Sequence, residues 1–142
     1  MSGLTVKAEQ LKGGFITNAS VVPTNPLVGA NTAYTFTFTP VSSIDSRSEA
    51  KIEIELPIQI SLTTSSCQII ARSAAFSSQM SCTPSGNKLI LSYIFSNKPD
   101  YQGGAPLSVT ISEIRNADFA GEIGPFTFST FIKRNNVFYV QD

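Results

Sequence analysis

The stretch from Leu107 to Phe131, LSVTISEIRNADFAGEIGPFTFSTF, decides the fold class of this chain. Its first part alternates apolar residues with hydroxyl residues up to Ile111, and the same alternation returns at Phe126 and Phe128. A spacing of two residues is typical of a β-strand that buries one face. The Asn, Asp and Gly residues between the two runs favour a loop. The stretch therefore predicts the last pair of antiparallel strands of a β-sandwich.

Several other stretches have strand character and are separated by turn residues. They are Phe15–Thr24, Thr32–Pro40, Lys51–Ile60, Cys67–Ala71, Lys88–Phe95 and Val137–Val140. In Thr32–Pro40 the side chains of Tyr34, Phe36 and Phe38 share one face, and in Lys51–Ile60 the five apolar residues from Ile52 to Ile60, Ile58 among them, share another. About seven strands without helical periodicity predict an all-β fold, namely an immunoglobulin-like antiparallel β-sandwich.

The chain has 142 residues, enough for one domain with a substantial core. Residues 1–14 are polar and end in Gly13-Gly14, which favours a lead-in or linker. We therefore predict a single domain over residues 15–142.

The composition excludes several classes of protein. The formal net charge is zero, so no basic field is present to attract nucleic acid. Histidine, the commonest general base and zinc ligand, is absent. No Gly-x-Ser-x-Gly elbow and no phosphate-binding glycine loop occurs in the sequence. We expect a protein that is not an enzyme and that does not insert directly into a membrane.

Five short segments of the chain carry a family resemblance. They are Ser20–Pro23, Val28–Phe36, Ile111–Asn116, Gly121–Phe126 and Phe128–Thr130. In these segments the chain resembles one repeat of the tandem immunoglobulin-like β-sandwich modules of large cell-surface proteins of protists (ciliate type) or of bacterial adhesins. The resemblance implies an extracellular, non-catalytic role, with neighbouring repeats or other surface proteins as partners. The serine-rich stretch Ser73–Ser85 departs from that pattern and is either a ligand-binding specialisation or a neutral insertion.

Cys67 and Cys82 are the only two cysteines of the chain. Their spacing would close a loop of about 15 residues, for which the chain-entropy model gives about 3 kcal/mol of stabilisation. We predict a disulfide between them, with two unpaired buried thiols as the alternative. Asn18-Ala19-Ser20 is a glycosylation sequon, although such triplets also arise by chance.

Two loops contain carboxylates that could meet if the loops lie at one end of the sandwich. Val41–Glu49 and Asn116–Gly124 would do so if they joined the second to the third and the sixth to the seventh strands of an immunoglobulin-like order. The acids concerned are Asp45, Glu49, Asp118 and Glu122. Clustered carboxylates suit Ca²⁺, so a structural calcium ion is one hypothesis and ordinary solvated loop acids are the other. No other cofactor is expected.

Two functions remain after these exclusions. The first is a structural or adhesive module, one repeat of a larger surface protein. The alternative is a module that binds carbohydrate or another ligand through exposed tyrosines, chosen from Tyr34, Tyr93, Tyr101 and Tyr139. Tyr34 and Tyr93 are in phase with core positions and only Tyr101 lies in a loop, so the pattern favours the first function.

Overall fold

The computed structural model describes residues 6–8, 16–46, 49–62, 67–119, 121–123, 126–134 and 136–140. These residues form β-strands joined by turns and loops. The strands are β1 (Val6–Ala8), β2 (Ile16–Pro23), β3 (Asn31–Pro40), β4 (Lys51–Glu55), β5 (Ser61–Leu62), β6 (Gln68–Arg72), β7 (Ser81–Ser85), β8 (Lys88–Ser92), β9 (Leu107–Arg115), β10 (Gly121–Ile123), β11 (Thr127–Arg134) and β12 (Val137–Val140). None of the described residues forms a helix long and apolar enough to cross a bilayer.

Two five-stranded antiparallel sheets account for ten of these strands. Sheet 1 has the order β12-β11-β4-β8-β7, and sheet 2 has the order β2-β3-β9-β5, with β6 pairing further along β9. This distribution is that of an immunoglobulin-like sandwich. The chain passes from sheet 2 to sheet 1 between β3 and β4, and the closing hairpin β11–β12 lies beside β4. The predicted fold class is confirmed, with about ten strands in the two sheets instead of seven.

The core lies between the inward faces of the two sheets. Tyr34, Phe36 and Phe38 of β3 are fully buried, as their alternation predicts. Their rings meet residues at the start of β11, with centroid distances of 6.1 Å from Phe36 to Phe126 and 5.0 Å from Phe38 to Phe128. Contacts between aromatic rings at such distances hold one sheet on the other.

The two strands of the stretch that predicts the fold do not pair with each other. β9 pairs with β3 in sheet 2, whereas β11 pairs with β4 and β12 in sheet 1. The prediction of a final strand pair within Leu107–Phe131 is therefore wrong. Alternation shows that a strand buries one face, but it does not show which sheet the strand joins. The closing hairpin is β11–β12, with Asn136 in its turn at a φ of 62°.

Consequently the loops at 41–49 and 116–124 lie at opposite ends of the sandwich. Asn31, at the start of β3, pairs with Arg115 at the end of β9, while Phe38 pairs with Leu107. The loop at 41–49 follows the end of β3, and the loop at 116–124 follows the end of β9. About ten residues of extended strand, roughly 30 Å, separate the two.

One further prediction needs correction. Ile58 is 91% exposed although its position in the alternation predicts burial, because β4 ends at Glu55. The chain then turns, and the Ile60 amide donates a hydrogen bond to the Pro57 carbonyl oxygen (3.2 Å). Val6–Ala8, which belong to the predicted lead-in, form β1 and pair in parallel with β10. The start of the domain at residue 15 stays a prediction.

Buried polar side chains anchor the loop between β2 and β3. The Tyr34 hydroxyl donates to Oδ1 of Asn116 (2.6 Å). The Asn116 amide nitrogen in turn donates to the carbonyl oxygens of Asn25 and Leu27, both at 2.7 Å. Burial raises the pKa of Tyr34 to about 12. The hydroxyl of buried Thr130, on β11, has no hydrogen-bond partner among the described residues.

A disulfide joins Cys67 to Cys82, as predicted, with 5.8 Å between the two Cα atoms. Cys67 directly precedes β6, on one edge of sheet 2, and Cys82 lies in β7, the edge strand of sheet 1. The bond therefore links neighbouring edges of the two sheets.

The serine-rich stretch between the two cysteines inserts side chains into the core. Phe76, Ser77 and Met80 are buried. The Ser77 amide donates to the Ile94 carbonyl oxygen (2.8 Å), and the Arg72 guanidinium donates to the Ser77 carbonyl oxygen (2.9 Å). We call residues 73–80 the plug, because they place Phe76 and Met80 in the core.

Candidate functional site

The most unusual backbone feature of sheet 1 is at the end of β8. Leu89 and Leu91 are buried, and simple alternation predicts the same for Tyr93. Instead Tyr93 has a φ of 57°, and its side chain is 56% exposed. This left-handed conformation is uncommon for a residue other than glycine, asparagine or aspartate. The prediction that Tyr93 belongs to the core is therefore wrong.

The packing of the next two residues explains the reversal. Ile94 and Phe95 are both buried, which a regular strand with alternating faces cannot achieve. The Phe95 ring lies between two others, with centroids 5.7 Å from Phe76 of the plug and 5.4 Å from Tyr101. Turning the backbone at Tyr93 buries these two residues and directs the tyrosine outward.

Tyr101, expected to be exposed in a loop, is 3% exposed. Its hydroxyl donates to the carbonyl oxygen of Ala105 (2.5 Å), and the Pro40 carbonyl oxygen, at 3.1 Å, shares the same hydrogen. The expected placements of Tyr93 and Tyr101 are thus exchanged. Tyr34 is buried as predicted, and the side chain of Tyr139 lies outside the part of the chain that the structure describes.

A second exposed aromatic ring belongs to the closing hairpin. Phe138 is 40% exposed and lies opposite Lys133 in the β11–β12 pairing. The Lys51 ammonium nitrogen is 4.3 Å from the Phe138 ring centroid, and the Lys133 nitrogen is 5.7 Å from it. Contacts of a cation with a ring face orient both groups.

Both lysines also have carboxylate partners. Lys133 Nζ is 2.6 Å from Glu49 Oε2, and Lys51 Nζ is 3.0 Å from Glu53 Oε2. Lys88 approaches the other oxygen of Glu53 at 3.5 Å. Each of the two lysines near Phe138 therefore has a carboxylate partner within the protein, and Glu53 is shared between Lys51 and Lys88.

These side chains surround a cleft of about 220 Å³. It is lined by Glu49, Ala50, Lys51, Ser92, Tyr93, Lys133 and Phe138, and we call it the Tyr93 cleft. It offers two aromatic rings, two ammonium donors, the hydroxyls of Ser92 and Tyr93, and a carboxylate acceptor. Such a mixture suits the binding of a ligand that has both apolar and hydroxyl surfaces.

A larger depression of about 610 Å³ lies near Ile58. Its lining is largely apolar, and includes Leu56, Ile60 and Leu62 beside the turn between β7 and β8. Its described lining residues include no charged side chain that could orient a polar ligand.

The structure does not bring the predicted calcium ligands together. The loop that carries Asp45 and Glu49 is at the opposite end of the sandwich from Asp118. Glu49 pairs with Lys133, and Asp118 pairs with Arg115 at 2.6 Å. The described residues contain no group of three acids, cysteines or histidines that could hold a metal. The expectation that the loops share one end is wrong because β9 and β11 belong to different sheets; the side chain of Glu122 lies outside the described part.

The sequon at Asn18 remains a prediction. Its backbone lies in β2, close to an irregularity in the pairing with β3, and its side chain is outside the described residues.

Sequence reasoning missed Phe138 and Lys133. A usable signal was present, because a hairpin that turns at Asn135-Asn136 places Lys133 and Phe138 opposite each other. Lys51 alternates with the buried Ile52 and Ile54 of β4, so its pattern places it on the outward face, and it lines the cleft. Nothing in the local pattern indicates the turn of the backbone at Tyr93.

No family model matches this sequence, and no curated protein is significantly similar to it. Among solved structures, a family GH18 chitinase from Chromobacterium violaceum is similar over 99% of this chain, at 9% identity and a TM-score of 0.43. This chain spans only 19% of that chitinase. The chitin-binding domain of a chitinase from Pyrococcus furiosus is similar over 86% of this chain and 98% of its own, at 10% identity and a TM-score of 0.32. At such scores neither similarity supports a conclusion about ligand or function.

Proposed function

We propose that this chain is a non-catalytic carbohydrate-binding module of a secreted protein, and that the Tyr93 cleft is its binding site. The observation that carries the proposal is the exposed Tyr93 ring on a left-handed backbone. That conformation costs a residue other than glycine about 1–2 kcal/mol. Strained residues cluster at ligand sites, where the strain is part of the function.

The chemistry of the cleft suits a sugar. One face of a pyranose ring presents C–H groups, which pack on an aromatic ring, and its rim presents hydroxyls that need donors and acceptors. Tyr93 and Phe138 supply rings that are 56% and 40% exposed. Glu49, Lys133 and Ser92 supply an acceptor, a donor and a hydroxyl on the same lining.

Other features agree with a binding role outside the cell. Disulfides such as Cys67–Cys82 form and persist in oxidising compartments. The chain contains no histidine, which leaves a hydrolytic reaction without its commonest base. We propose that neighbouring modules of a larger protein are its partners.

The test is a binding screen against immobilised glycans and insoluble polysaccharides, with three single variants. We expect Tyr93→Ala and Phe138→Ala to weaken binding by tenfold or more. Phe119→Ala is the matched control, because Phe119 is 51% exposed but lies beyond the end of β9, at the opposite end of the sandwich. A wild-type protein that binds no glycan would refute the proposal, and so would an equal loss of binding in the Phe119 variant.

A structural or adhesive module is the second candidate. The disulfide between the two sheet edges favours it, because this bond strengthens the sandwich without contributing to the cleft. A protein that binds no glycan, and that resists proteolysis only while oxidised, would favour this candidate.

A further inference from the structure

The charges around the Tyr93 cleft are paired within the protein, and this pairing restricts the ligand. Lys133 has Glu49 at 2.6 Å, and Lys51 has Glu53 at 3.0 Å. A carboxylate or sulfate on the ligand would find both ammonium groups already paired with carboxylates, Lys51 through a Glu53 that Lys88 also approaches, and it would be placed near Glu49. An ammonium group on the ligand would be placed near both lysines. Like charges brought together at an interface oppose binding.

The same ion pair is well placed to bind hydroxyls. The Glu49 side chain is 58% exposed and the Lys133 side chain is 31% exposed, so both can reach a ligand. The carboxylate accepts hydrogen bonds and the ammonium donates them. Two adjacent hydroxyls of a sugar ring can donate to one and accept from the other without breaking the pair.

Both charged groups are held in position. Glu49 directly precedes the short segment that leads into β4, and Lys133 lies on β11. The Lys133 nitrogen is also 5.7 Å from the Phe138 ring centroid. Because Tyr93 lines the same cleft, a sugar packed on the tyrosine can present its rim to the ion pair.

We infer that the ligand of the Tyr93 cleft is an uncharged glycan, and that the Glu49–Lys133 pair recognises two adjacent hydroxyls on it. This inference rests on the proposed function, and it specifies the class of sugar and the residues that select it.

The experiment compares soluble polysaccharides of three charge classes by isothermal titration calorimetry. The neutral probes are mixed-linkage β-glucan and galactomannan, the anionic probe is polygalacturonate, and the cationic probe is chitosan. We expect binding to a neutral probe, with a Kd that changes less than threefold between 50 and 500 mM NaCl. Binding to either charged probe should be at least tenfold weaker.

Variants of the ion pair give a second readout. Glu49→Ala and Lys133→Ala should each weaken binding of the neutral probe about tenfold, because each removes a hydrogen bond to a charged group. Glu55→Ala is the control. Glu55 lies on the same face of β4 as Lys51, but at the end of the strand away from the cleft.

The outcomes separate this inference from the proposed function. Tight, salt-sensitive binding of polygalacturonate, strengthened by Glu49→Ala and weakened by Lys133→Ala, would overturn the inference while the carbohydrate-binding function stands. Tight, salt-sensitive binding of chitosan, strengthened by Lys133→Ala and weakened by Glu49→Ala, would also overturn the inference while the carbohydrate-binding function stands. Binding to no polysaccharide, neutral or charged, would refute the proposed function and the inference with it.

Discussion

The left-handed backbone at Tyr93 predicts that glycine is more stabilising than alanine at this position, which is the reverse of the order at ordinary strand positions. In the left-handed region a residue with a Cβ atom costs about 1–2 kcal/mol, and glycine avoids this cost. Tyr93→Ala and Tyr93→Gly lose the same ring, but only the glycine variant also loses the strain. The greater conformational freedom of glycine in the unfolded chain lowers the free energy of unfolding of the glycine variant by about 0.4–1 kcal/mol. We therefore expect the glycine variant to be more stable than the alanine variant by about 0.5–1 kcal/mol.

The assay is urea unfolding followed by circular dichroism, with the free energy of unfolding extrapolated to water. In a protein of this size, 1 kcal/mol also corresponds to a change of roughly 2–4 °C in Tm. Ser92, which ends β8, serves as the control position. There alanine should be more stable than glycine by about 0.5–1 kcal/mol, as in strand interiors generally. An alanine variant at position 93 that is as stable as the glycine variant, or more stable, would refute the left-handed conformation and with it our reason for the exposed ring.

Three further predictions concern the core and the disulfide. Thr130→Val should raise the free energy of unfolding by about 1–2 kcal/mol, because it removes a buried hydroxyl without a partner among the described residues; a loss in urea unfolding would contradict this. Tyr34→Phe should lower it by about 1–2 kcal/mol at pH 7, because the Asn116 amide oxygen loses its donor. Since burial raises the pKa of Tyr34 to about 12 against 10 in the unfolded chain, wild-type stability should fall from pH 10 towards pH 12. The Phe variant should lack that part of the decline in pH-dependent unfolding, and an identical decline would contradict the assignment. The double variant Cys67→Ser, Cys82→Ser should lose about 3 kcal/mol and should no longer respond to reductant, whereas continued sensitivity to reductant would contradict this.

Local alternation was sufficient to predict most of the long strands and much of the core, but not β1, β7 or β10. The inward faces of β3 and β4 follow from their sequence, because a period of two fixes which side chains share a face. The cysteine pair was likewise predictable from spacing and composition. Alternation could not assign β9 and β11 to sheets, because a half-buried strand has the same pattern in either sheet. The wrong assignment then placed two distant loops together and produced the calcium hypothesis.

The candidate site was less predictable, because its central residue is positioned by contacts distant in sequence. Tyr93 faces solvent since Ile94 and Phe95 pack against the plug and Tyr101. Phe76, the plug residue in that stack, precedes Phe95 by a turn and two strands. No pattern within β8 reports this packing, so simple periodicity assigns the tyrosine to the core.

The covalent link between the two sheet edges also limits how far the chain can be pulled out. The 15-residue separation of Cys67 and Cys82 is closed by a bond, so a stretching force applied to the two termini bypasses the plug. At roughly 3.3–3.6 Å per residue, these residues represent about 50 Å of contour length that becomes available only on reduction. In an oxidising environment the module would yield a shorter extension per unfolding event, and the aromatic stack beneath Tyr93 would sit partly on a segment that carries no tension.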